Sequence, residues 1–300
     1  MTSVQIKNIT TILRRINTYK AFDVARIICN NNYLYFNSNN LLKNIINDKF
    51  NGGAKEKIIK FEYKEHIFNF EQTKEDNLII IKVYTTNGMD ECIFIIIDSS
   101  LKLAILQGIY NFPECVKDNL LPDNVGGIGS ILLQTTIEFL KTHKDKYKIN
   151  KIILTDNSNK ICTTSTIHLA PMYFLLNGNT WYGKYGFRPY NDTKNDLDKV
   201  KYKRYIKSQD IISKIKVKDV KDLKKMLINA YNETKNKNEM NLTEILKIVD
   251  KMKNDLLKNF IHVFLIHYDK TCEMFGNFYM DLYDEIGLYD FYKNSFYLEI

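Results

Sequence analysis

The stretch Asn124-Val125-Gly126-Gly127-Ile128-Gly129-Ser130, running into Ile131-Leu132-Leu133, decides how the chain is read. It follows an apolar run at Leu101–Tyr110 and precedes a segment of helical spacing, Ser130–His143. A glycine-rich loop that opens a helix turns backbone N–H groups outward at the positive end of the helix dipole, which suits a phosphate or pyrophosphate. A plain turn with Ser130 as N-cap is the competing reading. A phosphate loop of the Gly-Lys-Ser/Thr type is absent, and the glycine spacing does not match a dinucleotide fingerprint.

Working outward, short β-rich runs precede the loop: Lys57–Tyr63, His66–Phe70, Leu78–Thr85, Cys92–Ile97 and Leu101–Tyr110. Asn87-Gly88 and Asp98-Ser99-Ser100 punctuate them, and Asn-Gly between apolar runs is a strong hairpin signal. This predicts an antiparallel meander. Behind the loop helix comes a buried strand at Lys151–Thr155, a helix over His168–Asn177, a short turn at Trp181–Tyr185 and an alternating run at Lys201–Lys207 expected to be a last strand. Helical patterns at Val217–Glu233 and Leu242–Tyr268 follow, and the chain ends in an aromatic-rich tail. Before the meander, residues 10–48 read as a helical preface. The expected architecture is α+β, with a mixed, mostly antiparallel sheet flanked by helices over 51–208, a helical extension at 1–50 and an added helical region at 209–300.

All four prolines and six of the twelve glycines lie between residues 113 and 189, which marks a zone of tight turns and close backbone approach. Besides the glycine loop, this zone holds Trp181-Tyr182-Gly183-Lys184-Tyr185-Gly186-Phe187. The loop, read as Asn124-x-x-Gly127-x-Gly129, resembles the pyrophosphate loop of the GNAT superfamily of acyl-CoA N-acyltransferases, and the second segment resembles that family's Tyr-x-x-x-Gly-Phe. The order of the two, with a strand between them and a meander before, strengthens the likeness. The segment from Leu154 to Phe187 also resembles GNAT-like proteins of giant DNA viruses. Two features depart from the family: Asn124 stands where Gln or Arg is preferred, and the stretch from Asn157 to Tyr182 is longer than usual.

The resemblance implies an N-acetyltransferase that moves an acetyl group from acetyl-CoA to an amine by direct attack in a ternary complex, with no metal. Asn124, Val125, Gly126, Gly127, Ile128, Gly129 and Ser130 would hold the pyrophosphate, Asn157 the pantetheine arm, and Tyr182 would protonate the departing thiolate. The oxyanion donor would be a backbone N–H of the 101–110 strand. Glu114 and Asp156 are the candidate bases. The alternative is a GNAT-like fold without chemistry, kept as a structural or protein-binding module, and folds do host many functions.

Charge adds little to this. Lys+Arg 43 against Asp+Glu 35 gives +8, yet only Arg14, Arg15, Arg26, Arg188 and Arg204 are arginines. Lysine is a solvated point charge, whereas arginine's fork reads phosphates and base edges. A chain rich in Lys, Asn and Ile therefore points to compositional bias rather than to nucleic acid. Cys29, Cys92, Cys115, Cys162 and Cys272 are odd in number and lack Cys-x-x-Cys spacing, so neither a disulfide framework nor a zinc ribbon is expected. An acyl-cysteine relay through Cys115 and Cys162 ranks below buried packing. His262 and His267 lie five apart, off a common helix face. The opening residues lack a signal peptide's apolar run and no apolar stretch reaches a membrane span. The expectation is an intracellular, cytoplasmic protein (host cytoplasm or virion if viral). The aromatic tail within 209–300 is expected to pack on the body, on a second copy or on a protein partner.

Overall fold

The computed structural model describes residues 57–75, 77–85, 88–110, 112–116, 127–162, 165–235, 241–267 and 272–300. The helical preface, Asn124-Val125-Gly126 and Asn87 lie outside the described residues.

The meander forms as its alternation predicts. Strands β1 (Lys57–Tyr63), β2 (His66–Glu75), β3 (Leu78–Tyr84), β4 (Glu91–Asp98) and β5 (Leu103–Ile109) pair antiparallel in sequence order. In β4, Cys92, Ile93, Ile95, Ile96 and Ile97 are buried, as befits a strand covered on both faces. Helix α1 (Ile128–Thr142), with the short α2 (Lys144–Tyr147) behind it, then leads into β6 (Lys151–Thr155). β6 lies parallel to β5, with Leu103 opposite Lys151 and Leu106 opposite Leu154. α1 buries Ile131, Leu132, Leu133, Ile137, Phe139 and Leu140. Phe139 stacks on Phe70 of β2 with centroids 3.8 Å apart and meets Phe61 of β1 edge-on at 5.5 Å. These rings hold the helix across the sheet.

The order of the nine-stranded sheet among the described residues is β1-β2-β3-β4-β5-β6-β11-β9-β10. β9 (Arg188–Asn191) and β10 (Asp196–Leu197) form the far edge, and β11 (Ser295–Glu299) comes from the aromatic tail. β11 pairs antiparallel with β6 from Ser295↔Thr155 to Glu299↔Lys151, and with β9 at Phe296↔Pro189 and Tyr297↔Arg188. The tail thus lies inside the sheet, and Lys57–Ile300 forms one compact unit with no division at 208. A small hairpin, β7 (Asn159–Ile161) with β8 (Thr166–His168), occupies the long stretch before α3 (Leu169–Asn177).

Lys201–Lys207 is not a strand but part of α4 (Lys199–Lys214). The Asp198 side chain accepts from the N–H groups of Val200 and Lys201, and Tyr205, Ser208 and Ile212 make the buried stripe. A good N-cap and a 3.6-residue period override the local Lys-Tyr alternation. The segment expected as one helix from Val217 is a 3-10 turn (Val217–Asp219), then Asp222 in the left-handed region, then α5 (Leu223–Glu233). Leu242–Tyr268 is likewise two helices, α6 (Leu242–Lys251) and α7 (Leu257–His267), before α8 (Cys272–Glu285). Phe260, Phe264, Phe275, Phe278, Tyr279 and Tyr283 are buried in this helical layer.

The cysteine reading needs correction. Cys92 and Cys115 form a disulfide, and Cys162 is disulfide-bonded as well. β5 returns beside β4, the Tyr110 N–H donates to the Cys92 carbonyl at 3.0 Å, and a 3-10 turn over Pro113–Cys115 brings the second sulfur back. Topology rather than spacing pairs the two, so no sequence motif announces them. The same bridges remove the thiols that an acyl-cysteine relay through Cys115 and Cys162 requires. Among the described residues no helix is long and apolar enough to cross a membrane.

The Cys92–Cys115 bridge closes a loop over a sequence separation of 23. By loop-closure entropy this contributes roughly 3 kcal/mol. Cys92→Ala/Cys115→Ala should lower the unfolding free energy by about that amount in urea titrations without reductant, and the difference should vanish when both proteins are reduced.

Candidate functional site

β5 and β6 run together only as far as Leu106 and Leu154. On β5, Phe94 of β4 faces Gly108 while Ile95 faces Leu106, so Gln107 is an extra, bulged residue where the strands separate. On the other side, β6 ends at Thr155, and Asp156 is drawn toward the tail. Its N–H donates to the Asn294 carbonyl at 3.0 Å, and its carbonyl accepts from Lys293 at 2.8 Å. A fork in the sheet results, with Gln107 on one prong and Asp156 on the other.

At the mouth of α1, Gly127 rather than Ser130 is the N-cap, and no side chain caps the helix. Ser130 is buried in the first turn, where its N–H donates to the Gly127 carbonyl at 2.7 Å. The first turn holds no acidic residue. A Cβ at Gly127 would find nothing within 4 Å among the described residues, so their packing does not require glycine there. Open space before an uncapped N-terminus suits the approach of an anion.

The second segment is built differently, because its glycines are structural. A Cβ at Gly183 would overlap Asn179, Tyr205 and Thr180, and Gly186 has a φ of +91°. Gly186 closes the 3-10 turn over Gly183–Tyr185 and sends Phe187 into the core just before β9. Tyr182 begins this turn, accepting at its carbonyl from the Tyr185 N–H at 2.9 Å. Its ring sits edge-on to Trp181 at 4.8 Å and to Phe187 at 5.9 Å. Trp181 in turn lies 3.8 Å from where a Cβ on Gly129 would be. Segments 52 positions apart by residue number therefore touch at the start of α1.

Asp156 is the most unusual group present. Its residue is 1% exposed. Oδ1 accepts from the N–H and the hydroxyl of Ser158, whereas Oδ2 is buried without a hydrogen-bond partner. Burial pushes its carboxyl above the usual carboxylate range, against the lowering effect of Ser158. The Tyr182 phenol is also pushed well up, first by burial and then by the negative charge of Asp156. Tyr182 thus keeps its proton while Asp156 is ionised.

Other candidates fall elsewhere. Asn157 is exposed in the turn after β6, its carbonyl accepting from its neighbour Asn159 at 3.3 Å. Glu114 is exposed on the 3-10 turn beside Cys115. His262 lies against the Leu176 carbonyl at 3.2 Å, and the His267 side chain is outside the described residues. His168 was not singled out in the sequence. It stacks on Tyr292 at 3.6 Å, its Nδ1 has no partner, and burial holds its ring below the usual histidine range. The Leu169 N–H donates to the Ser158 carbonyl, which sets this stack on one flank of the Asp156 turn. A lone histidine ahead of an apolar helix carries no signal of that placement. Among the described residues no group of three metal-ligating side chains is assembled.

Comparison of the chain with protein-family profiles, with curated proteins and with solved structures finds no match.

A carboxylate whose folded pKa lies above its unfolded value binds more protons in the native state, so its contribution to stability falls as pH rises through that range. Asp156→Asn keeps an acceptor for Ser158 and removes the charge. Its melting temperature relative to wild type should therefore climb as pH rises from the ordinary carboxylate range, about 4, upward. A flat difference across that range would show that Asp156 titrates as an ordinary acid.

Proposed function

We propose that the fork binds an acyl-CoA and transfers its acyl group, acetyl in the simplest case, to an amine. The observation that carries this reading is the meeting of the two segments. The uncapped, glycine-lined start of α1 touches the Trp181-Tyr182 turn, with a buried acid acting electrostatically on the Tyr182 hydroxyl. The strand order supports it too, since a parallel pair parting around a glycine loop and flanked by antiparallel strands is what a GNAT-like sheet requires.

The donor pyrophosphate would rest against the N–H groups at the start of α1, and the thioester would lie along the fork. Bulged Gln107 marks where a β5 N–H leaves the ladder and can serve a developing oxyanion. Asp156, raised by burial, accepts one proton from the incoming ammonium, and the freed amine lone pair forms the new C–N bond. As the C–S bond breaks, Tyr182 gives its proton to the sulfur, and the second proton of the nitrogen restores the phenol. Neutralising Asp156 in the first step removes the charge that holds the Tyr182 proton. The base step thereby prepares the acid step.

One observation favours the rival reading, a binding module without chemistry. Asp156 Oδ2 is sealed from solvent, and Trp181 lies over Gly129. In that case acyl-CoA docks at α1, but the acid never meets an amine. Turnover separates the two.

The test combines binding and catalysis. Acetyl-CoA at millimolar concentration should raise the melting temperature of the wild type. Gly127→Asp should abolish that rise while leaving the unliganded protein as stable as before or slightly more so, because Asp is a good N-cap and its Cβ meets open space. Tyr182→Phe should keep acetyl-CoA affinity and lower turnover by about 10²-fold or more, the usual scale of general acid catalysis. No ligand-dependent rise in the wild type would refute the reading.

A further inference from the structure

Lysines on α4 are arranged as composition alone does not reveal. Lys199, Lys203 and Lys207 recur every four residues on the exposed face, a spacing of about 6 Å along the helix axis. With Val200 and Arg204 they line a shallow groove of about 420 Å³. Among the described residues none of the three lysines has an acidic partner. The acids nearby are otherwise engaged: Asp198 caps the helix and pairs with Lys201 at 3.8 Å, and Asp210 pairs with Lys214 a turn below. Exposed Asp196 accepts from the Leu197 N–H. Arg204 lies over the Tyr289 ring at 5.0 Å.

This arrangement is locally unfavourable. Like charges at i, i+4 repel, and cations in the first half of a helix oppose its dipole, with the Asp198 cap alone to offset them. An anionic partner would relieve both costs. A row of unpaired point charges at even spacing complements a polymer with evenly spaced anions.

We propose that the exposed face of α4 docks the phosphate backbone of a nucleic acid, without reading its sequence. The lack of base readout follows from the side chains. Lysines offer no planar fork, and the one arginine is stacked on Tyr289. Lipid fits this face less well. The exposed aliphatics Val200 and Ile206, at 65% and 46%, lie about a third of a turn apart with Lys203 and Lys207 between them. They form no apolar stripe to bury in a membrane surface. This inference is independent of acyl transfer.

The experiment uses the full-length chain and fluorescently labelled 20-base-pair DNA duplexes of two unrelated sequences, with binding read by anisotropy between 50 and 200 mM salt. Both duplexes should bind alike, with log K falling against log salt at a slope of about −3 to −4 if the three lysines and Arg204 each neutralise a phosphate. Lys199→Gln/Lys203→Gln/Lys207→Gln should flatten that slope by about 2 to 3 and weaken binding at least tenfold at 100 mM salt. Lys57→Gln/Lys60→Gln/Lys74→Gln removes the same charge from exposed positions of β1 and β2 and should leave the slope nearly unchanged. The proposal is overturned if the wild type does not bind at 50 mM salt, or if both triple variants lose affinity equally. It is also overturned if the α4 variant loses binding only to phosphatidylserine vesicles and keeps its affinity for DNA.

Discussion

The site depends on how β6 is bonded along its two edges. On one side β5 holds it parallel for four residues and then leaves; on the other β11 holds it antiparallel for its whole length. Because β11 continues to guide the chain past Thr155, through the bonds of Asp156 to Lys293 and Asn294, β6 cannot follow β5 when Gln107 bulges. An open fork inside a sheet would ordinarily leave two rows of unpaired backbone groups. Here the outer edge of each prong stays bonded, one to the tail and the other to β4, so the strands part without losing those ladders.

The same bonding explains the charge at Asp156. An ionised carboxylate taken from water costs several kcal/mol unless it is paired. Ser158 meets only Oδ1, leaving Oδ2 as a buried orphan whose charge acts on the Tyr182 phenol. A solvent-facing rotamer would be cheaper, but the backbone anchors on both sides fix where the residue starts. Strain of this kind is commonly kept at functional sites, where the surroundings over-determine it.

The expectations met the structure unevenly, for physical reasons. The β-strands of the meander, α1 and β6 were legible because their periodicity agrees with their burial; Lys151–Thr155 was placed to the residue. The contact between Gly129 and Trp181 was foreshadowed only by the order of two short segments. β11 is hidden because Ser295–Glu299 is five residues of an aromatic tail without a local pairing signal, and its partners on β6 and β9 lie roughly 107 to 148 residues upstream. The α4 misreading came from weighing a Lys-Tyr alternation above the Asp198 cap. Asp156 was named as one of two acids, but its orphaned oxygen depends on Ser158 and on tail contacts that no local pattern carries.

Glycines separate what the fold requires from what it merely permits. Gly183 and Gly186 are demanded by neighbours and by a left-handed φ, so their presence says little about ligands. Gly127 sits at an ordinary negative φ of −43° with empty space where its Cβ would be. A residue with no conformational or packing need for glycine could have been Ser, Asp or Asn, each a better N-cap for α1. Among the described residues no side chain caps the start of this fifteen-residue helix. Within this chain, then, neither backbone conformation nor packing among the described residues accounts for the glycine at 127.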